Sequence, residues 1–219
     1  MNPGIYQKWS PELAYAIGLI TTDGSISKDR RHINFTTSDL QLAKLFKKIL
    51  SLPNKIGKKA SSSGAEKKYY FIQFGDVKFY NWLKTIGLTN NKTYRLGKLK
   101  IPQKYFRDFL RGHLDGDGSI VTYKDNYLSY KNKRYLYNRL YLTFHSSSLK
   151  HILWVRKVIK SLFYFQGSLS GWKAINRKVT LWKLRFAKND SLKVLAWLYY
   201  KPNLACLLRK RKIALRYIQ

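Results

Sequence analysis

The chain is written twice. Residues 17–26, IGLITTDGSI, align with residues 111–120, RGHLDGDGSI, and Asp23 stands 94 positions before Asp117. Further matches follow in the same order. FTTSDLQLAKLFKKI from Phe35 resembles FHSSSLKHILWVRKVI from Phe144, and YYFIQF from Tyr69 resembles LWKLRF from Leu181. An ordered series of this kind implies an internal duplication, so the chain must fold as two similar units. Their expected extents are 1–98 and 99–219. The second unit has longer connections: 15 residues separate Asp23 from Ser38, but 30 separate Asp117 from the aligned Ser147. The extra stretch, around YKDNYLSYKNKRYLY, reads as an extended hairpin rich in Tyr and Lys.

Local patterns give each unit the same order. Pro11 and Glu12 suit the first turn of a helix, which the pattern runs to Thr22. Its counterpart runs from about Tyr105, behind Pro102, to about Gly116. HINFT, YYFIQF, YLYNRLYLTF and VTLWKLRF show two-residue periodicity and read as strands. In the last of these, Trp182, Leu184 and Phe186 share one face while Lys183 and Arg185 share the other. Helices expected at about 39–50, 77–86, 148–163 and 190–200 complete an αββαββα order in each half. The fold class is therefore α+β, a pseudo-twofold duplication with helices packed behind antiparallel strands.

Charge narrows the partner. The 219 residues carry 43 Lys and Arg against 11 Asp and Glu, a formal net charge of +32. With 45% hydrophobic and 16% aromatic residues, a real core is expected rather than charge-driven disorder. Such a charge opposes compaction unless it meets a polyanion, and nucleic acid is the obvious one. A membrane is the weaker partner, because there is no clean basic amphipathic helix and no apolar stretch long enough to span a bilayer. Cys206, the only cysteine, lies in the apolar run LACLL and reads as a small buried hydrophobe, so disulfides and a Cys-based zinc site are excluded. The segment MNPGIYQKWSPEL has neither a secretory apolar core nor the look of a transit peptide, which points to an intracellular, non-secreted protein.

Two acids stand out in so basic a chain. Ala14, Gly18 and Thr22 share one helical face; Asp108, Gly112 and Gly116 share another. Helices packed through Gly18 and Gly112 bring Asp23 and Asp117 together. Paired carboxylates repel one another and favour a hard divalent cation, with Mg²⁺ the natural one for phosphodiester hydrolysis. The plainer alternative is that both Asp-Gly pairs only end helices.

The two copies, AIGLITTDG at 16–24 and LRGHLDGDG at 110–118, resemble the signature of the LAGLIDADG homing endonucleases, whose single-chain members carry it twice. The run KTYRLGKLKIPQKYFRDFLRGHLDGDGSI from Lys92 is similar to the family's approach to its second motif. LLRKRKIA at 207–214 is similar to its C-terminal LxRK element. The resemblance implies a saddle of antiparallel strands over the DNA major groove, with the motif helices at the interface. It also implies double-strand cleavage by a monomer, leaving cohesive ends with 3′ overhangs. The family's metal-binding acids fall on Asp23 and Asp117, sharing two or three divalent ions. Its basic catalytic residue falls on Lys210, with Lys92 as the aligned candidate. In a chain with 43 basic residues, either lysine has the alternative of an ordinary solvated or backbone-contacting role. The chain departs from the family at Thr21, which faces Asp115 in the repeat, and at Thr22, where many members have a smaller residue.

Candidate DNA contacts follow from strand alternation. Arg30, His32, Asn34 and Thr36 form one series, Tyr69, Phe71 and Gln73 a second, Tyr135, Tyr137, Arg139 and Tyr141 a third, with Lys183 and Arg185 beside them. Tyr123, Lys124 and Asn126 lie on the other arm of the hairpin. The tyrosines have the alternative of core packing. GKLK at 97–100, KNKR at 131–134 and RKRK at 209–212 suit phosphates. His113 reads as a packing or hydrogen-bonding residue; His32, His145 and His151 lack ligand-like spacing. Two further functions share this sequence pattern: an intron maturase that binds intron RNA, and a DNA-binding regulator that does not cleave.

Overall fold

Ser10 begins the first helix by accepting a hydrogen bond from the Leu13 nitrogen (3.1 Å) through its side chain, and Pro11 occupies the first turn. In the computed structural model, which describes residues 8–60, 68–128, 134–175 and 178–218, this helix, α1, spans Pro11–Asp23. Every residue from Leu13 to Thr21 is buried, because α1 lies between a sheet and a second helix. It is followed by β1 (Gly24–Ile26), β2 (His32–Thr37), α2 (Leu40–Ile49), β3 (Gly57–Ala60), β4 (Lys68–Gly75) and α3 (Val77–Thr85). A four-residue helix α4 (Lys92–Arg95) and a 3₁₀ turn at Gln103–Tyr105 lead into the repeat. The repeat comprises α5 (Phe106–Gly116), β5 (Ser119–Leu128), β6 (Arg134–Ser146), α6 (Leu149–Phe163), β7 (Ser168–Trp172), β8 (Leu181–Phe186) and α7 (Lys188–Leu198). Helix α8 (Leu208–Ile218) follows.

The two sheets have the same topology. Each is four-stranded and antiparallel, in the order β1-β2-β4-β3 and β5-β6-β8-β7. Alternation decides which face is covered. In β2, Ile33, Phe35 and Thr37 are buried while His32, Asn34 and Thr36 are half-exposed; in β8, Leu184 and Phe186 are buried beneath Lys183 and Arg185. The helices pack behind these apolar faces. The result is the expected pseudo-twofold α+β architecture. Strands β1 and β3 have three and four residues, too few for alternation to announce them. The Tyr- and Lys-rich insertion is the arms of the long β5–β6 hairpin.

Helices α1 and α5 meet back to back. A methyl group on Gly18 would collide with the Phe109 carbonyl, and one on Gly112 with the Tyr15 carbonyl, so only glycine permits this approach. Tyr15 also donates its phenolic hydrogen to Asp115 (2.8 Å) across the seam. Asp115 accepts a second bond from the Leu207 nitrogen (2.7 Å), tying α5 to the start of α8. Arg111 is fully buried, ion-paired with Asp108 (2.8 Å) and donating to the Leu198 and Ala205 carbonyls. Cys206, between Ala205 and Leu207, is buried as well. Among the described residues, no helix is long and apolar enough to cross a membrane.

Candidate acid pair and nucleic-acid interface

The C-terminal ends of α1 and α5 lie side by side. Asp23 is the last residue of α1, and Asp117 caps α5, its nitrogen bonding to the His113 carbonyl (3.2 Å). A methyl on Gly116 would stand 3.1 Å from the Asp23 Oδ2 and would collide with the Thr22 hydroxyl. Thr22 therefore does not hold the ends apart. Its hydroxyl turns back onto the Leu19 and Gly18 carbonyls, at 3.1 and 3.3 Å, and Gly116 accommodates the rest. Asp23 feels the charge of Asp117. Burial pushes the Asp23 carboxyl up to about 7, the Asp117 charge adds to the rise, and Lys92 and Lys210 oppose it. Burial also raises Asp117, against the pull of Lys92, His145 and Lys210.

Each candidate lysine closes one helix. The Lys92 ammonium donates to the carbonyls of Ile20, Thr21 and Thr22, at 2.6, 2.8 and 2.8 Å. Lys210 donates to those of Leu114, Asp115 and Gly118, at 2.6, 3.0 and 2.7 Å. These carbonyls lie where each helix exposes its unsatisfied acceptors and the negative end of its dipole. An ammonium has three protons, and all three are committed. Burial lowers both lysines to about 8, opposed for Lys92 by Asp117 and Asp23 and for Lys210 chiefly by Asp115. Of the RKRK run, Lys210 thus turns inward and Arg209 pairs with Asp39 (3.2 Å) rather than standing free for a phosphate.

Two acids and two ammoniums balance in charge. Among the described residues, no group of three His, Cys, Asp or Glu is placed to hold a metal ion. The donor set fits Mg²⁺ only as a two-carboxylate site completed by water and phosphate oxygens, a common arrangement for that ion.

A polar cavity of about 60 Å³ opens beside Asp117, lined among others by Thr21, Thr22, Lys92, His113, His145 and Ser146–Ser148. His145 lies 2.9 Å from the Asp117 carbonyl through its Nδ1. The matching position in the first half is Thr36, so the two ends of the seam differ chemically. His113 is a packing residue, stacked on His151 with ring centroids 5.4 Å apart. Burial and the neighbouring His151 hold it well below its ordinary range.

The open sheet faces carry most of the remaining candidates. On the first sheet Ser25, Asn34 and Gln73 form one cross-strand row, and Thr36 and Phe71 another. Thr36 donates to Asn34 (3.1 Å), and the His32 ring is held by Asp29 (2.6 Å). Arg30 does not belong to this face. It sits in the turn before β2 with φ +61°, where Asp29 accepts from the Arg31 and His32 nitrogens and ends the alternation. On the second sheet the face turned away from the helices carries Tyr137, Arg139, Tyr141 and His145 along β6, with Thr143 buried between the last two, beside Arg185 and Lys183 of β8. Tyr137 and Tyr123 are well exposed, so they are surface and not core. This face leads through His145 directly to Asp117. Most of KNKR, and the side chain of Tyr135, lie outside the described residues.

Two residues of this region gain a role that the sequence does not give them. His145, set aside there for want of ligand-like spacing, stands where the aligned FTTSD and FHSSS segments differ. Asp125, paired with Arg139 (2.8 Å), carried one signal, an acid inside a basic hairpin.

Comparison with known proteins agrees with this geometry. The model of the LAGLIDADG-like domain family matches residues 10–87. The fold is LAGLIDADG-like. Among solved structures, the N-terminal LAGLIDADG domain of DUF199/WhiA is 18% identical, covering 90% of this chain and 85% of that one, with a TM-score of 0.52. Full-length DUF199/WhiA from Thermatoga maritima is 14% identical with a TM-score of 0.53; the match covers 98% of this chain but only 64% of that one. The I-LtrWI LAGLIDADG homing endonuclease bound to target DNA is 12% identical, covering 94% of this chain and 88% of that one, with a TM-score of 0.59. No curated protein sequence matches significantly.

Proposed function

We propose that this chain binds duplex DNA in the major groove, as a monomer, through the open faces of its two sheets. The observation that carries this reading is the row of Arg139, Tyr141, Arg185 and Lys183 on one uncovered face of a chain with net charge +32. A two-stranded ribbon fits the major groove, and cations meet the phosphates at its edges. Binding should weaken steeply with salt, the log–log slope being about −0.9 per phosphate neutralised. A change of less than about twofold between 50 and 200 mM salt contradicts a phosphate-dominated interface.

Two finer readings rest on different observations. The first, a DNA-binding regulator that does not cleave, is favoured by the committed lysines: Lys92 and Lys210 neutralise the acid pair without a metal and have no proton left for a phosphate. The fold is shared with the DUF199/WhiA domain as well as with homing endonucleases, so the fold alone does not favour cleavage. The second, metal-dependent cleavage of both strands, is favoured by the pairing of Asp23 and Asp117 at the seam. There the two carboxylates would hold Mg²⁺, which supplies an activated water and neutralises the departing oxygen when bound. Incubation with Mg²⁺ and a randomised duplex library, followed by sequencing of ends, separates them. The regulator reading expects bound but uncut duplex. The nuclease reading expects cut ends that vanish in Asp23→Asn and Asp117→Asn while duplex affinity in Ca²⁺ stays within about twofold, since a lost carboxylate removes no phosphate contact.

A further inference from the structure

On the open face of the second sheet, the arginines are held rather than free. Arg139 lies opposite Tyr123 and diagonal to Asp125, whose Oδ2 accepts from its Nε (3.0 Å) and Nη2 (2.8 Å). The Tyr137 ring centroid is 4.7 Å from the same guanidinium. The Arg185 guanidinium lies over the Tyr141 ring, 3.6 Å from its centroid, and is also hydrogen-bonded to the Tyr141 side chain, while Tyr141 is buttressed in turn by Tyr123, centroids 6.1 Å apart. These groups remain accessible: Arg139 and Asp125 are each about one-third exposed, and Tyr123 nearly half.

An acid here has a cost. The chain has 11 carboxylates, and one on a face that meets phosphates repels them. Asp125 offsets that cost only by fixing a donor. It takes the Nε edge of Arg139, which leaves one N–H on each terminal nitrogen pointing outward in parallel. The ring contact and hydrogen bond to Tyr141 likewise restrain Arg185. A planar fork held in advance matches the paired acceptors O6 and N7 of guanine, whereas a phosphate needs only a point charge such as Lys183.

Spacing follows from the register. Arg139 is four residues along β6 from Thr143, the position opposite Arg185. At about 3.3 Å per residue that is about 13 Å. A duplex rises about 3.4 Å per base pair, so the two forks stand roughly three to five base pairs apart along a groove the strand follows.

Resting on the duplex-binding reading above, we propose that Arg139 and Arg185 each read a guanine in the major groove, about three to five base pairs apart within one half-site, with Asp125 and Tyr141 as their positioning residues.

Selection of bound sequences from a randomised duplex library tests this. The wild-type consensus should contain two guanines at that spacing. Arg185→Ala should relax one of them and Arg139→Ala the other, each with a loss of about 5- to 150-fold on the selected duplex. Neither should change the salt slope, whereas Lys183→Ala should lower it by about 1 and leave the consensus intact. Asp125→Asn should relax the Arg139 position while raising affinity for unrelated duplex, a pair of effects that loss of fold does not produce. Tyr141→Ala should act like Arg185→Ala, and Tyr141→Phe, which keeps the ring but loses the hydroxyl that meets Arg185 and Tyr123, should relax the same position to a smaller extent. Duplex binding with a consensus lacking this guanine pair overturns the inference alone. An unchanged consensus with a reduced slope in either arginine variant also overturns it, as mere phosphate contact. Absence of duplex binding overturns the underlying reading and this one with it.

Discussion

Gly18→Ala should be among the most damaging small changes available to this chain. The added methyl would collide with the Phe109 carbonyl oxygen and lie 2.7 Å from the His113 nitrogen and 2.9 Å from the Gly112 carbonyl carbon. Ordinary packing needs about 3.5 Å, so the His113 contact alone demands a retreat of about 0.8 Å and the closer Phe109 oxygen demands more. The obstacles are backbone atoms, which cannot rotate aside as a side chain can. A retreat of that size forfeits a quarter to a half of the dispersion attraction along the seam, and it stretches the Tyr15–Asp115 bond. With overpacking terms of 1–3 kcal/mol as the floor, the expected loss is about 3–5 kcal/mol. For a chain of this size that lowers the melting temperature by roughly 6–20 °C. Gly97→Ala is the internal control, because its methyl meets nothing within 4 Å; it should change stability by less than about 1 kcal/mol. Thermal unfolding followed by circular dichroism reads both. A Gly18→Ala melting point within about 2 °C of wild type, or no lower than that of Gly97→Ala, refutes the close-contact argument.

Lys210→Met leaves three buried carbonyls without a donor and should cost about 3–5 kcal/mol in urea unfolding, whereas the exposed Arg216→Met in the same helix should cost less than about 0.5. His151 should make the fold sensitive to acid. Burial lowers it to about 4, so between pH 6.5 and 4 the unfolded chain binds the proton and the folded one refuses it; stability intact above 6.5 falls by up to about 3 kcal/mol as pH drops through that window. His151→Asn, which can still donate to the Gly97 carbonyl, should flatten the profile relative to wild type. Asp23 works in the opposite sense, since a carboxyl raised to about 7 makes the folded state the better proton binder between pH 4 and 7. In chelator, Asp23→Asn should therefore gain stability at pH 7.5 and gain little at pH 4, and equal gains at both would contradict the raised carboxyl.

What was legible in the sequence was what is local and periodic. Gly18 and Gly112 declare a close seam because small residues four apart can only share a face, and Asp23 and Asp117 follow from the ends of those helices. Asp115 carried a hint too, standing opposite Thr21 in the repeat, and the structure gives it Tyr15 and the Leu207 nitrogen to hold. The commitment of Lys92 and Lys210 to helix carbonyls was not readable. Their acceptors lie 70 or more residues away, and nothing in 43 basic residues marks the two that turn inward. Alternation puts Arg30 in series with His32, but Asp29 folds the backbone into a turn there, which a two-residue period does not register. Thr22 looked too large for the seam, but its hydroxyl satisfies itself on its own helix, which depends on rotamer and not on size.

The bond from Tyr15 to Asp115 spans 100 residues of chain, and Gln41 reaches 165 residues to the Cys206 carbonyl. Long loops of this kind are inexpensive to close, because each doubling of length adds only about 0.6 kcal/mol. Two separate chains meeting through the same glycine seam would part on dilution. Joined in one polypeptide, the halves see each other at an effective concentration on the order of millimolar, whatever the amount of protein present. The acid pair is therefore assembled at any concentration, and a seam too weak to dimerise separate halves is strong enough to hold these.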